Sequence, residues 1–495
     1  MDIVFLDKQQ NLPASTQLLH SKLENIRNAF LHAIHRAILL KREILVSFTY
    51  TVPTYTPLHV YNTFATLNLR DRLYWEQPGE QKAFVGAETV ATIETHGAAR
   101  FHEAAKNWQS LQDGAIVENM TQQPESNGLL LLGGFAFDPQ RPATELWDGF
   151  GDGRLTLPRL LYTTHHGQAT LSLNVLVSEN DTEEQLTQEN VNKLLTLEHA
   201  LQQMPHANID TDAEEPVTGK LSIQNLMDAE AWKELVGKAV RMIQHNDYKK
   251  IVLARGVQVT HSNQHFSIAD SLQRLRTSYP GAYVFAIERG EQTFIGATPE
   301  RLLQANDGQI QTMALAGSAP RGETAEEDKR LGAELAQSAK NREEHAIVVQ
   351  MIQEALDRHC EKVWIAETPQ LLRLKNIQHL ATPIVGKLRE GDSALAVIAD
   401  LYPTPAVGGF PREAALEAIR TYEELDRGWY AGPVGWIDAA GNGEFAVALR
   451  CALVEKERAT LFAGCGIVAD SQPESEYAES CWKLKVMLRG LGAEE

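Results

Sequence analysis

The stretch FAVALRCALV, residues 445–454, shows the alternation of side chains that indicates a β-strand. Successive side chains of a strand point to opposite faces. One face would present the bulky side chains of Phe445, Val447, Leu449 and Cys451. The other face would present Arg450 together with the small side chains of Ala446, Ala448 and Ala452. An arginine among alanines has space above it, which suits the binding of a carboxylate, although an arginine at a sheet surface would give the same pattern.

Segments before and after this strand extend the pattern. The stretch IVLARGVQV (251–259) alternates in the same way and predicts another strand. The run from Thr324 to Cys360 has the length and the apolar spacing of a helix. A last helix is predicted after Pro473.

The first part of the chain shows a similar mixture. Residues from Ser15 to about Glu43 predict an amphipathic helix, with Ser15 or Thr16 as its cap. The stretches around Val46–Thr51, Ala83–Ile93 and Leu129–Phe137 are short and apolar, which is typical of strands. Because helices and strands alternate without the rhythm of a parallel βαβ array, we expect an α+β fold with helices around a largely antiparallel sheet.

One polar, acidic stretch interrupts these patterns. ANIDTDAEEPVTGK (207–220) is the best candidate for a linker. It divides the chain into an N-terminal lobe, residues 1–215, and a C-terminal region, residues 216–495, which contains most of the residues suited to chemistry. The two parts are either separate domains or lobes of one fold.

Composition limits the possible functions. The 495 residues contain 46 basic and 65 acidic side chains, which gives a net charge of −19. A general nucleic-acid binder needs a basic face, so we expect no nucleic-acid partner. A small anionic substrate is still allowed, because a local cation can reverse the field inside one cleft.

The cysteines and the apolar runs bear on location. None of the four cysteines forms a C-x-x-C pair, so neither a zinc site nor a redox motif is indicated. The N-terminus MDIVFLDKQQNLP lacks the pattern of a signal peptide, and no apolar run is long enough to span a membrane. We therefore expect a cytoplasmic protein with no membrane association.

The predicted last helix places acidic and basic groups together. Glu476, Glu479 and Lys483 are spaced i, i+3 and i+7, so they share one face. They form either a solvated surface with an ion pair or a pair of carboxylates directed at a hard cation. A second acidic group, NREEH (341–345), lies in the predicted long helix, where at most one or two side chains can point to the same place. One glutamate from each helix would suit Mg²⁺.

Single residues in other segments have two possible roles. Lys250 precedes a strand and is either a solvated flank or, if buried, a general base with a lowered pKa. Glu300, in GATPERLL (296–303), either begins a helix or is a buried acid that stays protonated. Gly464 and Gly466 lie inside the apolar run FAGCGIV, where glycine often marks a close approach of the backbone to a ligand.

Taken together and in this order, these segments resemble the chorismate-binding enzymes, which include anthranilate, aminodeoxychorismate, salicylate and isochorismate synthases. The matching segments run from about residue 250 to residue 485, and GGFAFDP (133–139) upstream is similar as well. They are KIVLAR, GATPERLL, ALAGSAPRG, AKNREEH, QHLATPIVGKL, YPTPAVGGFPR, WYAGPVGWID, GNGEFAVALRCA, FAGCGIV and SEYAESCWKL.

The resemblance implies a fold and a set of site residues. The fold would be one large α/β domain of two packed, antiparallel-rich sheet halves with helices outside. Lys250 would be the base and Glu300 the acid. The resemblance implies a Mg²⁺ site formed by Glu344, Glu476 and Glu479. It also implies residues that bind the substrate or line its site, namely Gly317, His379, Ala406, Arg450, Gly464, Gly466 and Lys483.

Three positions indicate which reaction of the family to expect. Lys250 stands where isochorismate and salicylate synthases keep a base and where anthranilate synthases typically have glutamine. Ala316 stands where aminodeoxychorismate synthases often have a lysine nucleophile. Ala406 stands where ammonia-using members and salicylate synthases have threonine, whereas the neighbouring Val407 departs conservatively from the leucine common in isochorismate synthases.

The resemblance therefore implies an isomerase that uses water as the nucleophile and interconverts chorismate and isochorismate. A salicylate synthase and an ammonia-using synthase are the alternatives. We expect no glutaminase subunit and, by default, a monomer. The product could enter a quinone route, towards menaquinone or phylloquinone, or a siderophore route, and the long N-terminal half slightly favours the former.

Overall fold

The computed structural model describes residues 23–121, 128–141, 144–203, 221–322, 324–373 and 377–493. The predicted linker 207–220 and the predicted caps Ser15 and Thr16 lie outside these residues. The boundary between residues 215 and 216 lies outside them as well.

The helices mostly follow the apolar periodicity of the sequence. The first lies inside the predicted Ser15–Glu43 segment, and the last begins at Pro473 as predicted. The helices are α1 (Leu23–Leu40), α2 (Pro57–Thr66), α3 (Arg100–Gln112), α4 (Glu183–Gln203), α5 (Ala229–Gln244), α6 (Ile268–Ser278), α7 (Ala325–Gln337), α8 (Ala339–His359), α9 (Ala394–Leu401), α10 (Arg412–Tyr422) and α11 (Pro473–Gly490).

The strands confirm the predicted apolar segments around residues 46, 83, 129 and 251. They are β1 (Ile44–Val52), β2 (Leu73–Gln77), β3 (Lys82–Thr95), β4 (Ile116–Asn119), β5 (Leu130–Phe135), β6 (Gly153–His165), β7 (Gln168–Val177), β8 (Leu221–Asn225), β9 (Lys250–His261), β10 (Tyr283–Arg289), β11 (Gln292–Thr298), β12 (Arg301–Asn306), β13 (Gln309–Pro320), β14 (Cys360–Ile365), β15 (Gln370–Arg373), β16 (Ile377–Leu388), β17 (Gly409–Phe410), β18 (Pro433–Asp438), β19 (Gly443–Val447), β20 (Cys451–Glu455) and β21 (Arg458–Ile467).

The strand pairs form two sheets that share β3 and β6. The first sheet follows the order β4, β1, β7, β6, β3, β2, β10, β11, β20, β21, β9, β8. The second sheet continues from β6 through β5, β18, β19, β12, β13 and β16. Among the described strands only β1 and β4 pair in parallel. The expected α+β fold, with two antiparallel-rich halves in one domain, is confirmed.

The chain crosses between the two sheets at two corners. In the first corner, the early residues of β6 pair with β5 and its later residues pair with β7. In the second corner, β11 pairs with β20 in the first sheet, whereas the following β12 pairs with β19 in the second. The chain turns there at Pro299–Glu300 and at residues 448–450.

The second corner corrects the interpretation of residues 445–454 as one strand. β19 ends at Val447 and β20 begins at Cys451. Between them, Ala448 bonds to the backbone of Ala431 and Gly432, and the carbonyl of Arg450 accepts from the N–H of Ala297. Arg450 has φ +49°, a left-handed conformation that is uncommon outside glycine. The alternation of faces therefore stops at Val447, and Arg450 does not rise from a floor of alanines.

The predicted helix from Thr324 to Cys360 is divided in two. Ser338 ends α7, because its N–H donates to the carbonyls of Glu334 and Leu335. The same residue caps α8, because its hydroxyl accepts from the N–H of Asn341. The division fixes where α8 begins, and α8 contains the NREEH segment.

The core consists of two apolar clusters. One cluster has members from both sheets and includes Trp75, Phe135, Phe294 and Trp429. The other cluster lies between the first sheet and the helices α1, α2, α4, α6 and α11. The first sheet therefore has apolar clusters on both of its faces.

Shortening a buried side chain of the shared strand β6 should destabilise the protein far more than shortening an exposed one. Leu155 is fully buried in the cluster that joins the two sheets, so Leu155→Ala is expected to cost about 2–5 kcal/mol of unfolding free energy. Leu39, which is 79% exposed, is the matched control, and Leu39→Ala should change stability by less than about 0.5 kcal/mol. Urea unfolding of both variants measures this; similar losses would contradict the assignment of the core.

Candidate active site

Glu300 and Arg450 lie at the second corner, one on each crossing segment. The N–H of Val447 donates to the carbonyl of Glu300 at 2.9 Å, and the N–H of Ala297 donates to the carbonyl of Arg450 at 3.0 Å. The hydroxyl of Thr298 also donates to the carbonyl of Val447 at 2.6 Å. These bonds tie the two crossings together and fix where both side chains start.

Lys250 is the first residue of β9 and lies next to Gly466 on β21. A Cβ atom at Gly466 would lie 3.0 Å from Cε of Lys250, so the absence of a side chain there leaves room for the lysine. Burial lowers the pKa of Lys250, whereas the nearby carboxylates of Glu344 and Glu300 oppose that shift and the Lys483 ammonium reinforces it. The result favours a neutral amine that can accept a proton.

The pKa of Glu300 is shifted in the opposite direction. Burial raises the pKa of its carboxyl group, and the positive charges of Arg450, Lys250 and Lys483 oppose the shift. The direction favours a protonated acid. A base and an acid whose pKa values are moved towards each other in one site are the combination that proton-transfer enzymes use.

The acidic face of α11 lies beside β21. One carboxylate oxygen each from Glu476 and Glu479 and the sulfur of Cys465 lie within 4.8 Å of one another. Burial raises the pKa of the Cys465 thiol to about 12, so it stays protonated and is a poor partner for a hard cation. Burial, together with the charge of Glu479, also raises the pKa of Glu476. A cation held between the two carboxylates would offset their mutual repulsion. The carboxylate pair therefore fits Mg²⁺.

Lys483 connects this acidic face to the base. Its ammonium lies 2.6 Å from Oε1 of Glu479 and donates to the carbonyl of Gly464 at 2.8 Å. Its charge also acts on the pKa values of Lys250 and Glu300. Lys483 is therefore a positive charge inside the site, while its role in binding a substrate carboxylate stays a prediction.

The NREEH segment at the start of α8 divides between solvent, site and core. Glu343 is exposed, and Glu344 is partly buried close enough to act on the pKa of Lys250. His345 is buried, with Nδ1 at 3.2 Å from the carbonyl of Ala316 and Nε2 at 2.7 Å from the hydroxyl of Thr382. His345 thus positions α8 against β13 and β16, and only Glu344 of the three faces Lys250.

Gly317 and His379 lie on adjacent strands at this edge of the site. Gly317 has φ +73° and forms a bulge, so that Ala316 pairs with Leu380 while Ser318 pairs with His379. His379 has a hydrogen bond to the backbone of Gly317, and its pKa is lowered by burial and by the charge of Lys250. His379 therefore lies close enough to Lys250 for the charge of the lysine to act on it, while the roles of His379 and Gly317 in binding substrate stay predictions.

Ala406 is the exposed residue of a turn between α9 and β17 whose following residues, Val407 and Gly408, are buried. The turn closes through the carbonyl of Thr404, which accepts from the N–H groups of Val407 and Gly408. Gly408 in turn accepts from the N–H of Val252, two residues after the base. The turn is thus held against the start of β9, with Ala406 at its exposed tip.

Tyr430 is a site residue that the sequence did not single out. Its buried ring stacks on Phe462 at 5.3 Å, and a Cβ atom at Gly464 would lie 2.9 Å from its hydroxyl. Burial raises its pKa, and the positive charges of Arg427 and, less strongly, of Arg450 oppose that shift. Gly464 therefore leaves room for the Tyr430 hydroxyl. The glycine in FAGCGIV was the only local signal of this contact.

A cavity of about 270 Å³ lies next to Glu300 and is lined by Tyr283, Arg301, Met313 and Leu315 among others. Lys250, Arg450 and the glutamates of α11 do not line it. We therefore locate the site by its convergent charged groups and not by this cavity.

Comparisons with known proteins agree with this arrangement. A sequence profile of the family described as chorismate binding enzyme matches residues 31–492. The chain belongs to the chorismate-binding enzyme family. Isochorismate synthase MenF of Bacillus subtilis (strain 168) is 37% identical over 472 residues, which are 94% of this chain and 98% of the relative. The salicylate biosynthesis isochorismate synthase of Pseudomonas aeruginosa is 37% identical over 484 residues, 97% of this chain and 96% of the relative.

Solved structures of chorismate-binding enzymes have the same fold. MenF, the menaquinone-specific isochorismate synthase from Escherichia coli, superposes with a TM-score of 0.71 at 26% identity, covering 94% of this chain and all of the other. Anthranilate synthase component I from Streptococcus pneumoniae gives a TM-score of 0.65 at 20% identity, covering 82% of this chain and 92% of the other, which shows the fold alone. None of the described helices is both long and apolar enough to cross a membrane.

Replacement of Lys250 by methionine should stabilise the folded protein increasingly as the pH falls. Burial lowers the pKa of Lys250 below its ordinary value of 10.5, so the folded state binds fewer protons there than the unfolded state. Stability attributed to this group is therefore lost as the pH decreases and is fully regained above about 10.5. Thermal melts from weakly acidic to alkaline pH measure the effect.

The adjacent, exposed Lys249 provides the control for this measurement. Lys249→Met should leave the pH dependence of the melting temperature unchanged. Equal pH profiles for Lys250→Met and the parent protein would contradict the lowered pKa.

Proposed function

We propose that this protein is an isochorismate synthase, which interconverts chorismate and isochorismate and needs Mg²⁺. The observation that supports this most strongly is that Lys250 and Glu300 lie in one site, where burial lowers the pKa of the lysine and raises the pKa of the glutamic acid. The pair occurs in a chain that is 37% identical to an isochorismate synthase over nearly its full length.

The reaction needs one proton removed and one proton supplied. Neutral Lys250 takes a proton from the water molecule that attacks C2 of the ring. Protonated Glu300 gives a proton to the hydroxyl group that leaves C4, and the two conjugated double bonds of the ring shift along C1, C6 and C5 between the two carbons. One water enters and one leaves, so no oxidant or reductant is consumed, and the ammonium and carboxylate return to their starting states by proton exchange. Both groups work because their pKa values are tuned by burial.

Cationic and hydroxyl groups would orient the substrate. Arg450 presents a planar guanidinium that can bind a carboxylate through two parallel hydrogen bonds. The hydroxyl of Tyr430, which lies against Gly464, can donate a further hydrogen bond. Lys483 would approach the second carboxylate. Fixing the ring in this way holds C2 near the base and C4 near the acid, which is where most of the rate gain from orientation arises.

Glu344, Glu476 and Glu479 would hold Mg²⁺ through carboxylate oxygens. When bound, Mg²⁺ supplies positive charge that anchors and orients the ring carboxylate of chorismate. Support comes from the close Glu476–Glu479 pair and from the raised pKa of Glu476.

Water as the nucleophile follows from two alanines. Ala316 offers no amine, and Ala406 lacks the hydroxyl found at this position in salicylate synthases and ammonia-using members. A salicylate synthase is therefore the less favoured candidate. We further propose that the enzyme acts alone as a monomer, without a glutaminase subunit. A cytoplasmic location suits its four free cysteines.

Purified protein incubated with chorismate and Mg²⁺, without ammonia, should form an equilibrium mixture of chorismate and isochorismate. Chromatography of the products measures this, and chelation of the metal with EDTA should stop the reaction. Lys250→Met should form no product, because no base remains to activate water. Formation of salicylate and pyruvate would instead identify the protein as a salicylate synthase. A requirement for ammonia would contradict the assignment of water as the nucleophile.

Glu479→Gln should raise the Mg²⁺ concentration needed for half-maximal activity by about tenfold or more, because the site loses one negative ligand. Glu474→Gln is the matched control, because Glu474 is exposed in the first turn of the same helix. Titration of activity with Mg²⁺ measures both variants. An unchanged Mg²⁺ requirement in Glu479→Gln would remove Glu479 from the metal site.

A further inference from the structure

The strand that begins with Lys250 has a gap along one edge. One edge of β9 pairs with β21 from Ile251 to Thr260. The other edge pairs with β17 at residues 250 and 251, and with β8 from residue 257 onward. Among the described strands, none pairs with this edge between residues 252 and 256. The backbone groups of the gap need other partners, because buried polar groups without hydrogen bonds are costly.

A buried ion pair binds two backbone groups of the gap. Nη2 of Arg427 donates to the carbonyl of Val252 at 2.7 Å, and the N–H of Ala254 donates to Oε2 of Glu423 at 2.7 Å. Arg427 and Glu423 bind each other through two parallel hydrogen bonds of 2.6 and 2.7 Å. Both residues are 2% exposed. The two side chains thus provide partners for the carbonyl of Val252 and the N–H of Ala254, which no strand reaches.

The same guanidinium also holds the turn that contains Ala406. Nη1 of Arg427 donates to the carbonyl of Val407 at 3.1 Å. The N–H of Val252 donates to Gly408, so the turn and the strand are joined directly as well. The ring of Phe137 lies 4.2 Å from the guanidinium carbon and closes the other side. Arg427 therefore binds both backbone segments that border Lys250.

We infer that Glu423 and Arg427 are positioning residues for the reaction, which fix the start of β9, and with it Lys250, against the turn of Ala406. Neither residue touches the reacting atoms. This inference rests on the proposed function. Val252, which Arg427 binds, is only two residues after Lys250. A small shift of the strand at Val252 would therefore move the Lys250 amine relative to the substrate ring. Misplacement of about 1 Å can lower a rate by roughly a hundredfold.

A lysine cannot reproduce this set of contacts. Its ammonium is a single point with three donors, so it cannot bind Glu423 through a planar fork and both carbonyls at once. Arg427→Lys keeps the buried charge balanced while it releases Val252 or Val407. Glu423→Gln is the second variant, because it keeps an acceptor for Ala254 but removes the charge that orients Arg427.

The chain offers a matched control on the same part of the fold. Arg420 binds Asp138 through two hydrogen bonds of 2.5 and 3.0 Å and ties α10 to the segment after β5. These contacts involve no residue of β9 and no residue of the Ala406 turn. Arg420→Lys should therefore weaken a nearby, less buried ion pair without moving Lys250.

The test measures kcat and KM for chorismate in the full-length protein, with hydrogen exchange of the backbone amides of residues 250–256 on the same samples. Arg427→Lys should lower kcat about 10- to 100-fold, change KM less than about threefold, and speed exchange in this segment. Arg420→Lys should change neither quantity, and thermal melts should show both variants folded. If Arg427→Lys does not fold, Glu423→Gln takes its place with the same expected results.

Two results would overturn the inference while the proposed function stands. In the first, the parent protein forms isochorismate and Arg427→Lys matches its kcat. In the second, Arg420→Lys loses kcat to the same extent, which indicates a general loss of stability. A parent protein that forms no isochorismate overturns the proposed function and the inference with it, and this outcome is recognised before any variant is measured.

Discussion

The site depends on the crossing of one strand pair from the first sheet into the second. β11 and β20 pair on one side of the crossing, and β12 and β19 pair on the other. At such a crossing the regular ladder must stop, and the freed backbone groups of Ala297, Val447 and Arg450 bond across the corner instead. The side chains of Glu300 and Arg450 start from this corner, so their positions are fixed by backbone hydrogen bonds and not by loop contacts.

Burial at this corner makes the chemistry possible. The protein as a whole is strongly acidic, with a net charge of −19. Inside the site, however, three basic side chains face four carboxyl groups. The basic residues are Lys250, Arg450 and Lys483, and the acidic residues are Glu300, Glu344, Glu476 and Glu479. Removing such groups from water disfavours their charged forms, so burial lowers the pKa of Lys250 and raises the pKa of Glu300. Positive charge beside the acid and negative charge beside the base limit how far each pKa moves.

The sequence predicted the helices and strands that depend on a local pattern. It did not predict the boundaries that contacts with distant residues determine. The strand at residues 251–259 and the helix after Pro473 were predicted because their periodicity is local. The break at residues 448–450 could not be predicted, because FAVALRCALV alternates without interruption and only bonds to Ala431, Gly432 and Ala297 divide it. The division at Ser338 had a local signal, a helix-capping residue, that the apolar spacing on both sides concealed.

The candidate site shows the same limit. The spacing of Glu476, Glu479 and Lys483 predicted their shared face, and the structure brings Lys483 to Glu479. Gly464 and Gly466 were identified as places of close approach, but the groups that approach them are Tyr430 and Lys250, from other parts of the chain. The predicted role of these glycines in contacting substrate stays a prediction. Glu423 and Arg427 are four residues apart, a spacing that allows an ion pair, but their contacts with Val252, Ala254 and Val407 come from distant parts of the chain.

A crystal structure of the protein with chorismate and Mg²⁺ tests the central claim most directly, namely that the corner between the sheets holds a base and an acid on opposite sides of one ring. The account predicts the ring between Lys250 and Glu300, with the amine nearer C2 and the carboxyl group within hydrogen-bond distance of the C4 hydroxyl. A ring bound away from this corner, or with both groups on the same side, would contradict it.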